Sequence, residues 1–401
     1  MKSCRAGFYF FYFYNKLFVM KPTYLFLMIL FFVGKQTHSQ TTINGSFVHD
    51  GITRTYSFYV PAIYTPGQSV PIIIGLHGTS SSGTQFAQYR DFRPIADTAN
   101  FIMVHPDGTT LFGQKFWNYG NIFGSTVDDV GFIEALIDTI SAHYSVNQNR
   151  IYSAGMSNGG FMTYYLACQT NRFAAIGSVT GSMGTTMYNT CNPLRPTPSI
   201  HVHGTSDPIN PYAGNSTSKS IPSVIKFWVN QNGCDTIPAV TQVPNTNTTD
   251  GATAERHLYA NGLNGHTIEH FKVTGGEHTW PGCPMPASND VTCMDFDARI
   301  ELWRFFRQYE ITNATSLNNH EKNLALNIWP NPSQGRFYIE PGNSAVTRVV
   351  ITDMHGRVAA NFVKDNIRNL ELGYLIPGIY VAEISGEDFY TVKKLMIISS
   401  D

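Results

Sequence analysis

The stretch Arg150–Gly160, RIYSAGMSNGG, runs from a β-strand pattern into a helix pattern through one serine. RIYSA reads as a strand and Asn158–Gln169 as a helix, with Gly155-Met156-Ser157-Asn158-Gly159 between them. A serine on so tight a strand-to-helix turn needs an unfavourable backbone angle. Glycines two positions to either side leave room for neighbouring backbone to close in. The turn holds the hydroxyl clear of the sheet, at the positive end of the following helix. The motif alone is weak; its placement between strand and helix makes Ser157 the candidate nucleophile.

Outward from this turn the pattern is strand, loop, helix, repeated. Thr53–Val60 alternates as a strand and Val70–Leu76 (VPIIIGL) is a short buried run. Gln85–Asn100 reads as one helix, Phe101–Val104 as a strand and Val127–Tyr144 as a helix. Strands are expected near Phe173–Val179, Ser199–His203, Arg256–Tyr259 and Thr267–Val273, with helices at Ser220–Gln231 and Met294–Gln308. The last helix should bury Phe296, Ile300, Trp303 and Phe306. Strands alternating with helices predict an α/β fold with a mainly parallel sheet covered on both faces. A polar, Asn-rich linker at 311–324 follows the unit 40–310. Residues 325–401 then hold only short alternating runs, the signature of a small all-β sandwich.

At 401 residues, 42% hydrophobic and only 14% charged, the chain can bury two or three cores and is not disordered as a whole. A formal charge of −1 gives no electrostatic reason to expect a nucleic-acid partner. That near-neutrality hides an asymmetry. Residues 1–39 carry Lys2, Arg5, Lys16, Lys21 and Lys35 and no acid, around the unbroken apolar run Tyr24–Val33. Such a run suits a signal-peptide core and is too short for a span of about 20 residues. Thr37 and Ser39 supply small residues before a cut at Gln40, and Met20-Lys21 is a second candidate start. An uncleaved N-terminal anchor is the competing reading. Removing the leader leaves 22 basic against 28 acidic residues, a mildly acidic, exported chain with no later membrane span. In an oxidising compartment Cys168–Cys191 and Cys283–Cys293 are the expected disulfides, with Cys234 free; spacing alone does not settle the pairing.

A serine hydroxyl needs a base, and in this architecture the partners follow in the order Ser, Asp or Glu, His. His201 and His203 share one face of a strand and precede any plausible acid partner, so packed core is the expectation. As a metal pair they lack an acidic or Cys companion. His257 and His270 also lie within strands. His278, in Gly275-Gly276-Glu277-His278-Thr279-Trp280, sits in a loop after a strand and is the candidate base. Asp207 follows the strand SIHVH and is the candidate acid; Asp128 and Asp129 begin a helix, where capping explains them. The oxyanion donors expected are the N–H of Asn158 and one from Leu76–Gly83, with Thr79 the best candidate. No Lys accompanies that loop, which argues against a phosphate cradle. Trp117, Tyr119 and Trp280 could wall a cleft for an aromatic or aliphatic acyl group; ordinary core packing is the equal alternative. The constellation needs no cofactor and no metal.

The pieces LHGTSSSG, VHPDGT, FWNYG, VDDVGFIEALID, RIYSAGMSNGG, HVHGTSDPINPY and GGEHTWPG lie in order between about Ser57 and Tyr309. This region resembles the extracellular polyhydroxybutyrate depolymerase and feruloyl esterase group of α/β-hydrolases. The resemblance implies a secreted serine esterase acting on polyhydroxyalkanoate-type or feruloyl/acetyl polysaccharide esters through Ser157, Asp207 and His278. A Cys often follows His-Gly in that group; here Thr79 stands instead, and a disulfide there is absent. A peptidase on the same fold and a catalytically silent surface binding protein are the alternatives. The tail resembles the C-terminal sorting domain of the type IX secretion system. Trp329-Pro330-Asn331-Pro332 with Gly335, Asp353-Met354-His355-Gly356, Leu375–Tyr380 and Lys393-Lys394-Leu395 carry that likeness. It implies the type IX machinery as a partner and a secreted or cell-surface location.

Overall fold

Val70–Leu76 is buried at every position, as a strand covered on both faces must be. The structure, a computed structural model, describes residues 40–283, 289–311, 326–340, 345–353, 358–386 and 390–399. The leader, linker residues 312–324 and the Met354-His355-Gly356 motif lie outside the described residues.

In chain order the larger unit begins with strands β1 (Thr41–His49), β2 (Ile52–Val60), β3 (Val70–Leu76) and β4 (Ile102–Pro106). A hairpin follows, β5 (Thr109–Leu111) and β6 (Gln114–Phe116), then β7 (Val146–Met156), β8 (Ala175–Val179) and β9 (Ser199–Gly204). The last three are β10 (Ala239–Gln242), β11 (Thr253–Tyr259) and β12 (Ile268–Thr274). Ten of these form one sheet in the order β1-β2-β4-β3-β7-β8-β9-β12-β11-β10. Its centre, β4-β3-β7-β8-β9-β12, is parallel, and antiparallel pairs close both edges.

The helices are α1 (Gly83–Tyr89), α2 (Arg93–Ala99), α3 (Asp129–Ser141), α4 (Asn158–Gln169), α5 (Thr185–Thr190), α6 (Ile221–Asn232) and α7 (Ala298–Phe306). Alternation along the strands sorts them into two layers. Ile72, Ile74 and Ile151 join one core with α3, α4 and α6; Ile73, Tyr152 and Ala154 join the other with α1, α2 and α7. This is the α/β-hydrolase architecture expected. Among the described residues no helix is long and apolar enough to cross a membrane.

Three local expectations change. The single helix over Gln85–Asn100 is two, because Pro94 begins a new helix and the Asp91 carboxylate accepts from Arg93 N at 3.0 Å. The final helix starts at Ala298, capped by Asp297, and buries Leu302, Phe305 and Phe306 while leaving Ile300 exposed. Cys168–Cys191 is a disulfide and Cys234 is free, but Cys283 and Cys293 are free buried thiols, so the second expected bridge is not formed. The bridge present closes a 23-residue separation, worth about 3 kcal/mol through the unfolded state.

The tail is all-antiparallel. A three-stranded sheet pairs β13 (Asn327–Trp329), β14 (Arg336–Glu340) and β17 (Asn369–Glu371). A four-stranded one pairs β15 (Val346–Asp353), β16 (Val358–Val363), β18 (Gly378–Gly386) and β19 (Tyr390–Ile397). Phe337, Ile339 and Leu370 of the first share a core with Val349, Ile351, Ala382 and Ile384 of the second. That is the small sandwich its alternating runs predict.

Candidate active site

Ser157 joins β7 to α4 with φ 55° and ψ −121°, a backbone that side-chain-bearing residues rarely adopt. Its N–H donates to the Val179 carbonyl at 2.9 Å, tying the turn to the end of β8. A Cβ on Gly155 would collide with the Gly159 carbonyl, and one on Gly159 with the Leu76 carbonyl. Both glycines are therefore needed for strand, turn and helix to meet backbone to backbone.

Asn158 is the first residue of α4, so its N–H has no acceptor within the helix. Its side chain clamps the backbone of Trp117, accepting from Trp117 N at 2.7 Å and donating to Trp117 O at 3.1 Å. The loop after β3 is braced by His77. His77 Nδ1 lies 2.7 Å from the Gly78 carbonyl, and Gly108 N donates to Nε2 at 2.9 Å. A carbonyl can only accept, so Nδ1 carries the proton and the ring is neutral. Burial, which pushes its pKa down to about 4, agrees. A Cβ on Gly78 would stand 3.3 Å from Ser157 Cβ, so this loop passes directly over the serine. Thr79 follows, exposed, and Ser80 N donates to Lys115 O at 2.9 Å.

Asp207 and His278 follow β9 and β12, which are parallel neighbours. Their loops pack without intervening side chains: a Cβ on Gly204 would strike the Gly276 carbonyl, and Ser206 N donates to that carbonyl at 3.0 Å. His278 Nδ1 thereby comes to 2.8 Å from Asp207 Oδ2. Asp207 Oδ1 accepts from Ile209 N at 2.9 Å and Asn210 N at 2.8 Å. Burial alone would raise this carboxyl's pKa. The hydrogen bonds from His203 and His278 outweigh it and hold the group well below the usual carboxylate range. The Asp207 side chain is fully buried, whereas His278 keeps 16% of its side chain exposed.

Ser157, Asp207 and His278 thus follow the C-terminal ends of β7, β9 and β12, on one edge of the parallel sheet. Tyr119 stacks on Phe161 at 4.9 Å and stays half-buried. Trp117 and Trp280 do not wall a cleft: both are fully buried. The Trp117 indole donates to His77 O at 3.0 Å, and Trp280 packs edge-on to Phe86 and Phe92. Asp128 caps α3 through Gly131 N, as expected, but Asp129 is a buried partner of Arg54 at 2.5 Å.

His201 and His203 share one strand face and are buried in the core, as expected, but they also form a hydrogen-bonded row that ends at Asp207, which strand alternation does not signal. Among the described residues two clusters could hold a cation, His49/Asp50/Asp128 and Asp250/Cys293/Asp295. Asp128, Asp250 and Asp295 already accept backbone N–H groups, which explains their positions. A groove of about 440 Å³ runs beside the Thr79 loop, lined by Ser80, Ser81, Ser82, Gln85, Gln114 and Lys115.

Residues 95–227 match the model of the Prolyl oligopeptidase family, and residues 327–398 match the Secretion system C-terminal sorting domain. A bifunctional acetylxylan esterase/xylanase of Neocallimastix patriciarum is 26% identical over 73% of this chain and 39% of its own length. Feruloyl esterase B of Piromyces equi is 27% identical over 54% of this chain and 41% of its own length. A putative esterase of Nocardia uniformis is 24% identical over 61% and 76%.

The chain resembles the feruloyl and acetylxylan esterases. The expected likeness is carried by its feruloyl esterase side; polyhydroxybutyrate depolymerases are not specifically supported. The chain spans about two fifths of the length of two of these curated relatives. Among solved structures, an acetyl xylan esterase from Aspergillus awamori aligns with a TM-score of 0.45 at 16% identity, over 60% of this chain and 94% of that one. A ferulic acid esterase from Anaeromyces mucronatus aligns with a TM-score of 0.43 at 14% identity, over 69% and 93%. With its sorting domain, the esterase-like chain is a secreted or cell-surface protein.

Proposed function

We propose that this chain is a serine carboxylic-ester hydrolase with Ser157 as nucleophile, His278 as base and Asp207 as acid. The observation that carries the reading is the His278–Asp207 pair on the same sheet edge as the strained Ser157 turn. Asp207 Oδ2 accepts from His278 Nδ1, which leaves Nε2 with its lone pair for the serine proton. Ser157 Oγ attacks the ester carbonyl as its proton passes to His278. The N–H groups of Asn158 and Thr79 hold the oxyanion, and the alcohol leaves with the proton. Water then gives its proton to His278 and attacks the acyl-enzyme; the acid is released and Ser157 regains its proton.

The relatives' names, an acetylxylan esterase/xylanase and a feruloyl esterase, favour an acylated polysaccharide over a polyester. We infer export by a signal peptide at 1–39 and by the type IX machinery through residues 325–401, with the catalytic unit at 40–310 and the linker at 311–324. Ser157→Ala should abolish p-nitrophenyl acetate hydrolysis and fluorophosphonate labelling in a folded protein; parental activity would sink the reading. Methyl ferulate and acetylated xylan should be turned over ahead of polyhydroxybutyrate film. The Prolyl oligopeptidase match favours one second reading, a peptidase. Cleavage of peptide anilides without cleavage of esters would decide for it.

A further inference from the structure

Behind the acid of this site stands a row of buried polar rings. On β9, Ile200 and Val202 face the α1/α2/α7 core, so His201 and His203 face the α4/α6 side. Both imidazoles and Tyr164 of α4 are fully buried. His203 Nε2 lies 2.8 Å from the Asn210 carbonyl and 3.3 Å from Asp207 Oδ2, both acceptors, so Nε2 carries the proton. With that proton on Nε2, His203 Nδ1 is the atom that faces His201, whose Nε2 stands 3.1 Å away to donate. His201 Nδ1 is left to accept from the Tyr164 hydroxyl at 2.7 Å. Every donor meets an acceptor in one direction, ending at the Asp207 turn. Burial holds His201 well below its ordinary pKa, in keeping with a neutral His201 ring.

The turn is tied on its other side as well. Asn210 Nδ2 donates to Thr180 O at 2.7 Å, one residue beyond the Val179 carbonyl that takes the Ser157 N–H. A purely structural role does not call for this row, since apolar side chains of similar size fill such a layer without the cost of burying polar atoms. We propose that His203, oriented by His201 and Tyr164, is a positioning residue that holds the Asn210 carbonyl and Asp207 Oδ2 so that the carboxylate meets His278. It rests on the serine-hydrolase reading above.

A double-mutant cycle on the full chain tests it, with kcat, KM and thermal melts measured on p-nitrophenyl acetate. His203→Leu should lower kcat by up to about 10²-fold, the cost of a misplaced group, with KM little changed. His203→Gln, which keeps an N–H toward Asn210, should recover most of that loss. Asp207→Asn should itself lower kcat by about 10⁴-fold. In that background His203→Leu should have almost no further effect. Parental kcat in folded His203→Leu, or the same loss in both backgrounds, overturns the proposal. Should His203→Leu fail to fold, Tyr164→Phe, which removes only the O–H, reads the same coupling in both backgrounds. Parental activity in Asp207→Asn alone would instead overturn the triad, and the positioning role with it.

Discussion

His278 Nδ1 lies 2.8 Å from Asp207 Oδ2, although 71 residues separate them in the chain. The pairing exists because β9 and β12 are parallel and in register up to Gly204 and Val273, so their loops leave the sheet side by side. An aspartate there selects the tautomer with the proton on Nδ1. Asp207→Asn offers the ring a donor and favours the other tautomer. Its kcat should drop about 10⁴-fold with the circular dichroism spectrum unchanged. A loss below tenfold would contradict the role.

Backbone strain at Ser157 predicts a stability–activity trade. Its φ of 55° suits glycine, so Ser157→Gly should raise stability by about 1 kcal/mol, net of the glycine's greater unfolded entropy, or about 2–4 °C in Tm. Ser157→Ala keeps the Cβ and should gain nothing. Both should be inactive, so calorimetry of the pair separates strain from chemistry.

Trp280 should behave as a core residue. Trp280→Ala is expected to cost about 3–5 kcal/mol, and the milder Trp280→Phe should leave KM for a small ester unchanged. Tyr119, half-buried on Phe161, is the aromatic whose truncation to Ala should move KM. A KM shift in Trp280→Phe with an unchanged melt would reverse the assignment.

Acid should weaken the fold through buried neutral histidines. Burial pushes His105 down to about 4 from 6.5, and its Nε2 meets no partner among the described residues. Between those values the unfolded chain takes the proton first. Stability is therefore complete above about pH 6.5 and declines as pH falls toward 4. His105→Leu should flatten that slope by up to about 1.4 kcal/mol per pH unit, measurable by urea melts at several pH values. Parallel slopes would contradict it.

The thiols offer a chemical count. Burial pushes Cys234 and Cys283 up to about 11 and Cys293 to about 12, so none should react with Ellman's reagent at pH 8 in the folded state. In guanidinium all three should react before any reductant is added, while Cys168–Cys191 stays closed. Only one reactive thiol from residues 40 onward would restore the Cys283–Cys293 bridge.

What the sequence by itself determined here was local. Residues within a few positions of one another encode strand and helix periods, the Ser157 turn, the polar break and the alternating tail, because those patterns depend on neighbours along the chain. The order of motifs also pointed to Asp207 and His278. Tertiary structure decided everything that depends on which elements become neighbours. SIHVH shows that His201 and His203 share a face, but only tertiary packing brings Tyr164 of α4 against His201, while Asp207 meets His203 from the turn that follows β9. An indole in FWNYG or EHTWPG is equally apolar in a cleft or a core, and it was packing against Phe86, Phe92 and the His77 loop that buried both. Cysteine spacing could not settle the second bridge, because a disulfide depends on how two side chains meet in space.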